Sequence, residues 1–260
     1  MNGADVSLED VVTRLRAAGC VFAEDEAVLL VEGAASEHDL RSLVSRRVAG
    51  EPLEQILGWA AFRGLRLVVE ESVFVPRFRT EFLVDLALAA VVPGSVVLDL
   101  CCGVGALGAA IERERAGVEV FAADIDPVAV RCARRNLERP DRVFAGDLFA
   151  PVPVALRGRI DVVAVNAPYV PTDEIRHMPP EARDFEARVA LDGGDDGLDV
   201  HRRVAVDAAD WLTPGGLLVI ETSAEQAERT LALFTDRGFD ARIETDDDRD
   251  ATAVAARAPH

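Results

Sequence analysis

The chain has no lysine: its 28 basic residues are all arginine, and 46 acidic residues outweigh them to a net charge of −18. A surface of that sign repels a phosphate backbone, which argues against duplex nucleic acid as a partner. Aromatic residues are scarce, with two tryptophans and one tyrosine, Tyr169. No apolar run approaches the roughly 20 residues that span a bilayer, which excludes a membrane helix. The first residues, with Asp5, Glu9 and Asp10, lack the basic-then-apolar order of a secretion signal, so a cytoplasmic location is expected. The four cysteines, Cys20, Cys101, Cys102 and Cys132, form no C-x-x-C pair and the four histidines are scattered, so no metal site is legible. Adjacent cysteines such as Cys101 and Cys102 rarely bond to each other, because the ring is strained.

Half of the residues are apolar, enough for a sizeable core, and 260 residues exceed one average domain. One α/β domain with a smaller appendage is the natural division. The most informative stretch is Val96-Val97-Leu98-Asp99-Leu100 followed by Cys101-Cys102-Gly103-Val104-Gly105-Ala106-Leu107-Gly108. It reads as a buried strand ending in an acid, then a Gly-rich bend opening a helix. Open α/β sheets hold nucleotide-like cofactors at such turns. The glycines spell G-x-G-x-x-G, and Asp124 stands where a ribose-binding acid would, so a dinucleotide is one reading. Asp99 disfavours it, since a carboxylate beside a pyrophosphate costs energy. The same carboxylate suits the ammonium of S-adenosylmethionine, which carries no phosphate. A ligand-free βα turn is the third reading.

Taken in order, Ser7-Leu8-Glu9-Asp10 predicts a capping box, and helices follow to Gly19, over 25–34, and from Ser36 to Gly50. Residues 1–50 thus form a helical segment expected to dock a substrate. Residues 51–78 read as a connector with a hairpin or edge strand at 62–69. The rest, 79–260, reads as the main domain. Thr80 is expected to cap a helix running to Val91. Strands are predicted at 96–100, 118–123, 142–146, 160–165 and 216–222, and helices at 106–116, 127–138, 199–212 and 224–237. Two closing strands, 240–245 and 251–257, have no helix between them, so the last should run antiparallel. The expected fold is a class I methyltransferase-like α/β sheet of seven strands, Rossmann-like in winding, with a small N-terminal helical domain.

Three acids, Asp99, Asp124 and Asp147, end successive strands and so line one crevice. Asp124 would accept from both ribose hydroxyls and Asp147 from the adenine amino group. Their neighbours Ile125 and Leu148, the loop residues Cys101, Cys102, Gly103 and Gly105, and Asn166 complete the expected donor site. Asp126-Pro127 is the better helix cap, which frees Asp124 for a ligand. The strand at 160–165 ends in Asn166-Ala167-Pro168-Tyr169. A planar nitrogen such as an amide NH2 is a poor nucleophile, because its lone pair is delocalised. It needs acceptors that grip both hydrogens and aim the lone pair at the methyl carbon. The Asn166 side-chain oxygen and the Ala167 carbonyl are two such acceptors, and Tyr169 can pack on the flat group. Catalysis of this kind is orientation rather than proton transfer.

From about Arg47 onward the chain resembles the release-factor glutamine N5-methyltransferase family, as a divergent member. The family's P-R-P-x-T-E is similar to Pro76-Arg77-Phe78-Arg79-Thr80-Glu81, its D-L-G-T-G-x-G to Asp99–Gly105, and its N-P-P-Y to Asn166–Tyr169. Its late E-P…A-L…G-G-x-D-G-L is similar to Glu186–Leu198. The resemblance implies methyl transfer from S-adenosylmethionine to the glutamine of a Gly-Gly-Gln loop in a class I release factor. It also implies that Phe74, Pro76, Arg77, Tyr169 and Glu186 meet the substrate. Five motif positions depart: Ala167 and Ala187 replace prolines, Cys101 replaces a glycine, and Phe78-Arg79 replace a proline and an acid. An amino-methyltransferase acting on a small molecule or nucleobase, and a non-catalytic binding protein of the same fold, are the alternatives.

Overall fold

A computed structural model describes residues 7–260. Asp5 and the rest of the first six positions of the 1–50 segment lie outside the described residues. The Ser7 hydroxyl accepts from the Asp10 N–H (3.2 Å) and the Asp10 carboxylate accepts from the Ser7 N–H (3.2 Å). This reciprocal cap starts α1 (Leu8–Ala17). Helices α2 (Ala23–Gly33) and α3 (Glu37–Val48) follow, the latter capped by Ser36, and then the short α4 (Leu53–Leu57). Val11, Leu15, Ala27, Leu30, Leu43 and Val44 close on one another as a separate apolar cluster, in which Ile56 of α4 also packs.

Strands β1 (Trp59–Phe62) and β2 (Leu65–Val68) form a hairpin in which Phe62 pairs with Leu65. The expected strand at 62–69 is only its second arm. The turn is Arg63-Gly64, both left-handed (φ +46° and +74°), a geometry usually announced by Asn-Gly or Asp-Gly. The helix expected to Val91 is shorter, α5 (Glu81–Leu88), and a 3-10 turn over Phe78–Thr80 leads into it. Thr80 does not cap it: at φ −66°, ψ −16° its backbone is already helical, and its hydroxyl is used elsewhere.

The remaining elements alternate as expected, with ends that move by a few residues: β3 (Val96–Leu100), α6 (Ala106–Glu114), β4 (Glu119–Asp124), α7 (Pro127–Asn136), β5 (Val143–Ala145) and β6 (Ile160–Val165). Then come α8 (Pro180–Phe185), α9 (Asp199–Trp211), β7 (Leu212–Thr222), α10 (Ala227–Thr235), β8 (Asp240–Asp246) and β9 (Ala251–Arg257). Strand β7 begins four residues before the expected 216. A bulge pairs Leu212 with Ile160 and Leu217 with Val162, so Thr213-Pro214-Gly215-Gly216 is absorbed rather than left as a break. The sheet order is β5-β4-β3-β6-β7-β9-β8, with β9 antiparallel to both neighbours. Side chains alternate between two cores. Val97, Ala122, Val162 and Val219 face α5, α6 and α7, while Leu98, Leu100, Val163 and Ile220 face α9 and α10. The winding reverses between β3 and β6, which opens a crevice at their carboxyl ends. Among the described residues no helix is long and apolar enough to cross a membrane.

Candidate active site

One half of the crevice is acidic. Asp99 is fully buried; its Oδ2 accepts from the Gly108 N–H at 2.9 Å, while Oδ1 is buried without a partner. Burial, and secondarily the charge of Asp124, raises this carboxyl well above its ordinary value, against the lowering effect of the Gly108 bond. An orphaned buried carboxylate oxygen facing the crevice fits an ammonium group and would repel a pyrophosphate. The geometry therefore fits S-adenosylmethionine and disfavours a dinucleotide. Asp124 accepts from the Gly103 N–H and the Asp126 N–H, both at 2.8 Å, which fixes both oxygens at the lip of the crevice. Asp126 is the cap of α7, accepting from Val128 N–H at 2.8 Å, as expected. Asp147 also lines the crevice but is ion-paired with Arg203 of α9, a residue no local pattern pointed to.

Cys101, Cys102, Gly103, Ile125 and Leu148 all line the crevice; Gly105 does not. A Cβ on Gly105 would lie 3.2 Å from Ala133, so its role is the packing of the loop on α7. Cys101 stands in the left-handed region at φ +57°, a conformation that costs a non-glycine residue about 1–2 kcal/mol. Burial first, then Asp124 and Asp99, pushes both crevice thiols well above their usual range, so they stay protonated and unreactive.

The other half is built around the end of β6. The Asn166 side-chain NH2 donates to the Thr80 hydroxyl at 3.5 Å, which leaves Oδ1 free to accept. Thr80, Asn166, Ala167, Pro168 and Tyr169 all line the crevice, as do Phe74, Pro76 and Arg77. Tyr169 donates from its hydroxyl to Glu221 Oε1 at 3.0 Å, and Arg79 Nε donates to the same oxygen at 3.1 Å. Glu186 does not itself line the crevice. It lies behind the lining, buried, its Oε1 accepting from Arg77 (2.6 Å) and from the Val75 N–H (3.1 Å). These bonds hold the 75–77 segment in place.

The 191–198 segment is laced to the residues after Tyr169. Val170 N–H donates to Leu191 O (3.1 Å), Gly193 N–H to Val170 O (2.8 Å) and Thr172 N–H to Gly194 O (3.0 Å). Gln226 Nε2 donates to both Tyr169 O (3.0 Å) and Asp196 O (3.1 Å). Asp196 is ion-paired to Arg202 and Arg229, whose charges hold its carboxyl well below the usual range. Among the described residues no cluster of three or more His, Cys, Asp or Glu side chains could hold a metal.

Comparison with known proteins reads the same way. A family model, the methyltransferase small domain, matches residues 78–179. The release factor glutamine methyltransferase of Geobacter sulfurreducens is 40% identical over 202 residues, covering 76% of this chain and 70% of that protein. The chain belongs to the release factor glutamine methyltransferase family. The relative of the same name from Streptomyces coelicolor is also 40% identical, covering 76% of this chain and 72% of its own length. A solved methyltransferase from Pyrococcus furiosus superposes with a TM-score of 0.57 at 18% identity, over 86% of this chain and all of that one, and shows the fold.

Within this family the departures have local explanations. Ala187 donates its N–H to Ser72 O at 2.8 Å, a bond that a proline would forfeit. Ala167 is buried and keeps its carbonyl at the crevice without the ring. Phe78 is exposed, and the Arg249 guanidinium lies 5.8 Å from its ring centre. The pairings of Thr80, Arg79, Glu221 and Gln226 escaped the sequence reading because their partners lie 52 to 142 residues away.

Proposed function

We propose that the protein transfers the methyl group of S-adenosylmethionine to the side-chain amide nitrogen of a glutamine, that of the Gly-Gly-Gln loop of a class I release factor. The observation that carries this reading is the pair of free acceptors at the β6 tip, Asn166 Oδ1 and the Ala167 carbonyl, beside the orphaned oxygen of Asp99. The names borne by the family's members support the choice of glutamine and of release factor. Asp99 would hold the donor's ammonium, Asp124 its ribose hydroxyls, and Asp147 with Leu148 its adenine, while Ile125 and Cys101–Gly103 enclose it. When bound, S-adenosylmethionine supplies a methyl group made electrophilic by the sulfonium. Asn166 Oδ1 and the Ala167 carbonyl accept from the two amide hydrogens, so the lone pair points along one line. Tyr169 covers the amide plane and Phe74 closes the opposite side. The nitrogen gains the methyl and releases one proton to water, so no side chain serves as base. Gripping and aiming account for the rate, and a misplacement of about 1 Å can cost on the order of 100-fold.

We assign docking of the substrate protein to the helices of residues 1–50, with 51–78 as connector and 79–260 as the methyltransferase domain. Val21 and Phe22, strongly exposed at the turn before α2, give that helical segment an apolar contact.

The test incubates the protein with methyl-labelled S-adenosylmethionine and a purified class I release factor, then maps the mass shift by peptide. One methyl on the Gly-Gly-Gln glutamine is expected. Asn166→Ala should lower it by about 100-fold while the donor dissociation constant moves less than about threefold. Donor binding without transfer would overturn the release factor as acceptor and turn the search to small amines and nucleobases.

A further inference from the structure

We propose that Glu221, at the end of β7, is a positioning residue for the acceptor amide: it tethers the Tyr169 ring by its hydroxyl, and Arg79 supplies the counter-charge. This inference rests on the methyl-transfer reading above for its kinetic consequence, but not for the tether itself.

Three observations carry it. First, Glu221 is only 3% exposed, and a single oxygen, Oε1, accepts from both Tyr169 (3.0 Å) and Arg79 (3.1 Å). A lone buried carboxylate is costly unless a cation and donors offset its desolvation. Arg79 offsets it here, and it stands where the family motif carries an acid, which would repel Glu221 and could not donate. Second, one short segment fixes Tyr169 at both ends. Glu221 takes the hydroxyl, and Gln226, five residues on, donates to the Tyr169 carbonyl at 3.0 Å. Third, the ring is backed by the buried imidazole of His201, 6.5 Å between centres at 58°. A ring held at its tip, its back and its own peptide group cannot swing, so it presents one face to the crevice. The charged groups facing the phenol are Glu221 and Arg79. Burial above all, and then the Glu221 charge, raise its pKa against the opposing pull of Arg79.

Tyr169 is the only tyrosine in the chain, so tyrosinate absorbance reports this one side chain. In the native protein without donor or acceptor, the phenol should titrate above the ordinary tyrosine value, because burial and the Glu221 charge disfavour its anion. In Glu221→Gln the titration should move back toward the ordinary value of 10.0. A native phenol that titrates near 10 would overturn the tether. For the kinetic part, Tyr169→Phe and Glu221→Leu should each lower kcat about tenfold, with acceptor KM and donor Kd (by equilibrium dialysis) moving less than about threefold. The double variant Tyr169→Phe/Glu221→Leu should be no worse than either single one, because each single change removes one partner of the same contact. Additive losses, or an unchanged kcat in Tyr169→Phe, would overturn the positioning role. Should a Glu221 variant fail to fold, the native titration and Tyr169→Phe still decide the matter. If the native enzyme methylates no glutamine, the functional reading falls while the titration continues to test the tether.

Discussion

Asp99 and Asn166 share a feature: each has one polar atom satisfied by the protein and one left for a ligand. For Asp99 the satisfied atom faces Gly108 and the bare one is buried, so the protein alone holds the carboxyl partly toward its neutral form. An ammonium ligand needs it ionised. Donor affinity should therefore rise with pH through the elevated Asp99 pKa, up to the point where the ligand's own amine deprotonates. Asp99→Asn should weaken donor binding by at least about tenfold and flatten that rise. Equilibrium dialysis of native and variant protein across pH checks both, and a parallel pH dependence would assign it to another group. Cys101 illustrates the opposite case, a side chain kept where backbone geometry prefers none.

The element that most constrains the residues around Tyr169 is the 191–198 segment, which has no regular secondary structure of its own beyond its lacing to Val170 and Thr172. Its glycines are there because neighbouring backbone and side-chain atoms occupy the space of a Cβ. A Cβ on Gly197 (φ +77°) would lie 2.4 Å from the Tyr169 carbonyl oxygen and 2.3 Å from Gln226 Nε2. Gly197→Ala should cost about 2–4 kcal/mol and depress methyl transfer, because relief of the clash displaces Tyr169. Gly158 is also left-handed (φ +69°), but a Cβ there would meet nothing within 4 Å, so Gly158→Ala should cost only about 1 kcal/mol. Chemical denaturation of the two variants separates backbone strain from collision. The match to the family motif located this segment, whereas its mechanical purpose became visible only once Tyr169 was found beneath it.

At the scale of the whole molecule, the helical segment and the crevice are tied together. Buried Arg47 of α3 pairs with Glu26 of α2 and with Glu181 of α8, and Gln55 of α4 donates to the carbonyls of Val73 and Phe185, on segments beside the site. Electrostatics act globally as well. With a net charge of −18, self-repulsion weakens as pH falls, and acids whose pKa burial raises, such as Asp99, Asp124 and Glu186, also favour the folded state at lower pH. His201 opposes them. Burial, with Arg202 nearby, lowers its pKa from 6.5 to about 4, so the unfolded chain binds a proton that the folded one refuses. Its contribution is complete above pH 6.5, is lost as pH falls toward 4, and amounts to about 3 kcal/mol over that window. The stability difference between native protein and His201→Gln should thus shrink between those limits. A pH-independent difference in denaturant titrations would show that His201 is not neutral in the fold.

Local chemistry in the sequence determined much of this protein. Continuous apolar runs dictated the central strands, Asp126-Pro127 dictated the start of α7, and the acids at three strand tips followed from the alternation of strand and helix. Those signals are short-ranged, carried by neighbours within a turn or a pleat. The hairpin turn at Arg63-Gly64, the strand through Pro214-Gly215-Gly216 and the non-capping Thr80 were decided by tertiary packing, which overrides weak local preferences. So were the partners of the site: Thr80 beneath Asn166, Arg203 on Asp147, Glu186 behind Arg77, and Glu221 with Arg79 on Tyr169. Each joins residues at least 52 positions apart, and a contact across that distance exists only after the sheet has brought two strand ends to one crevice.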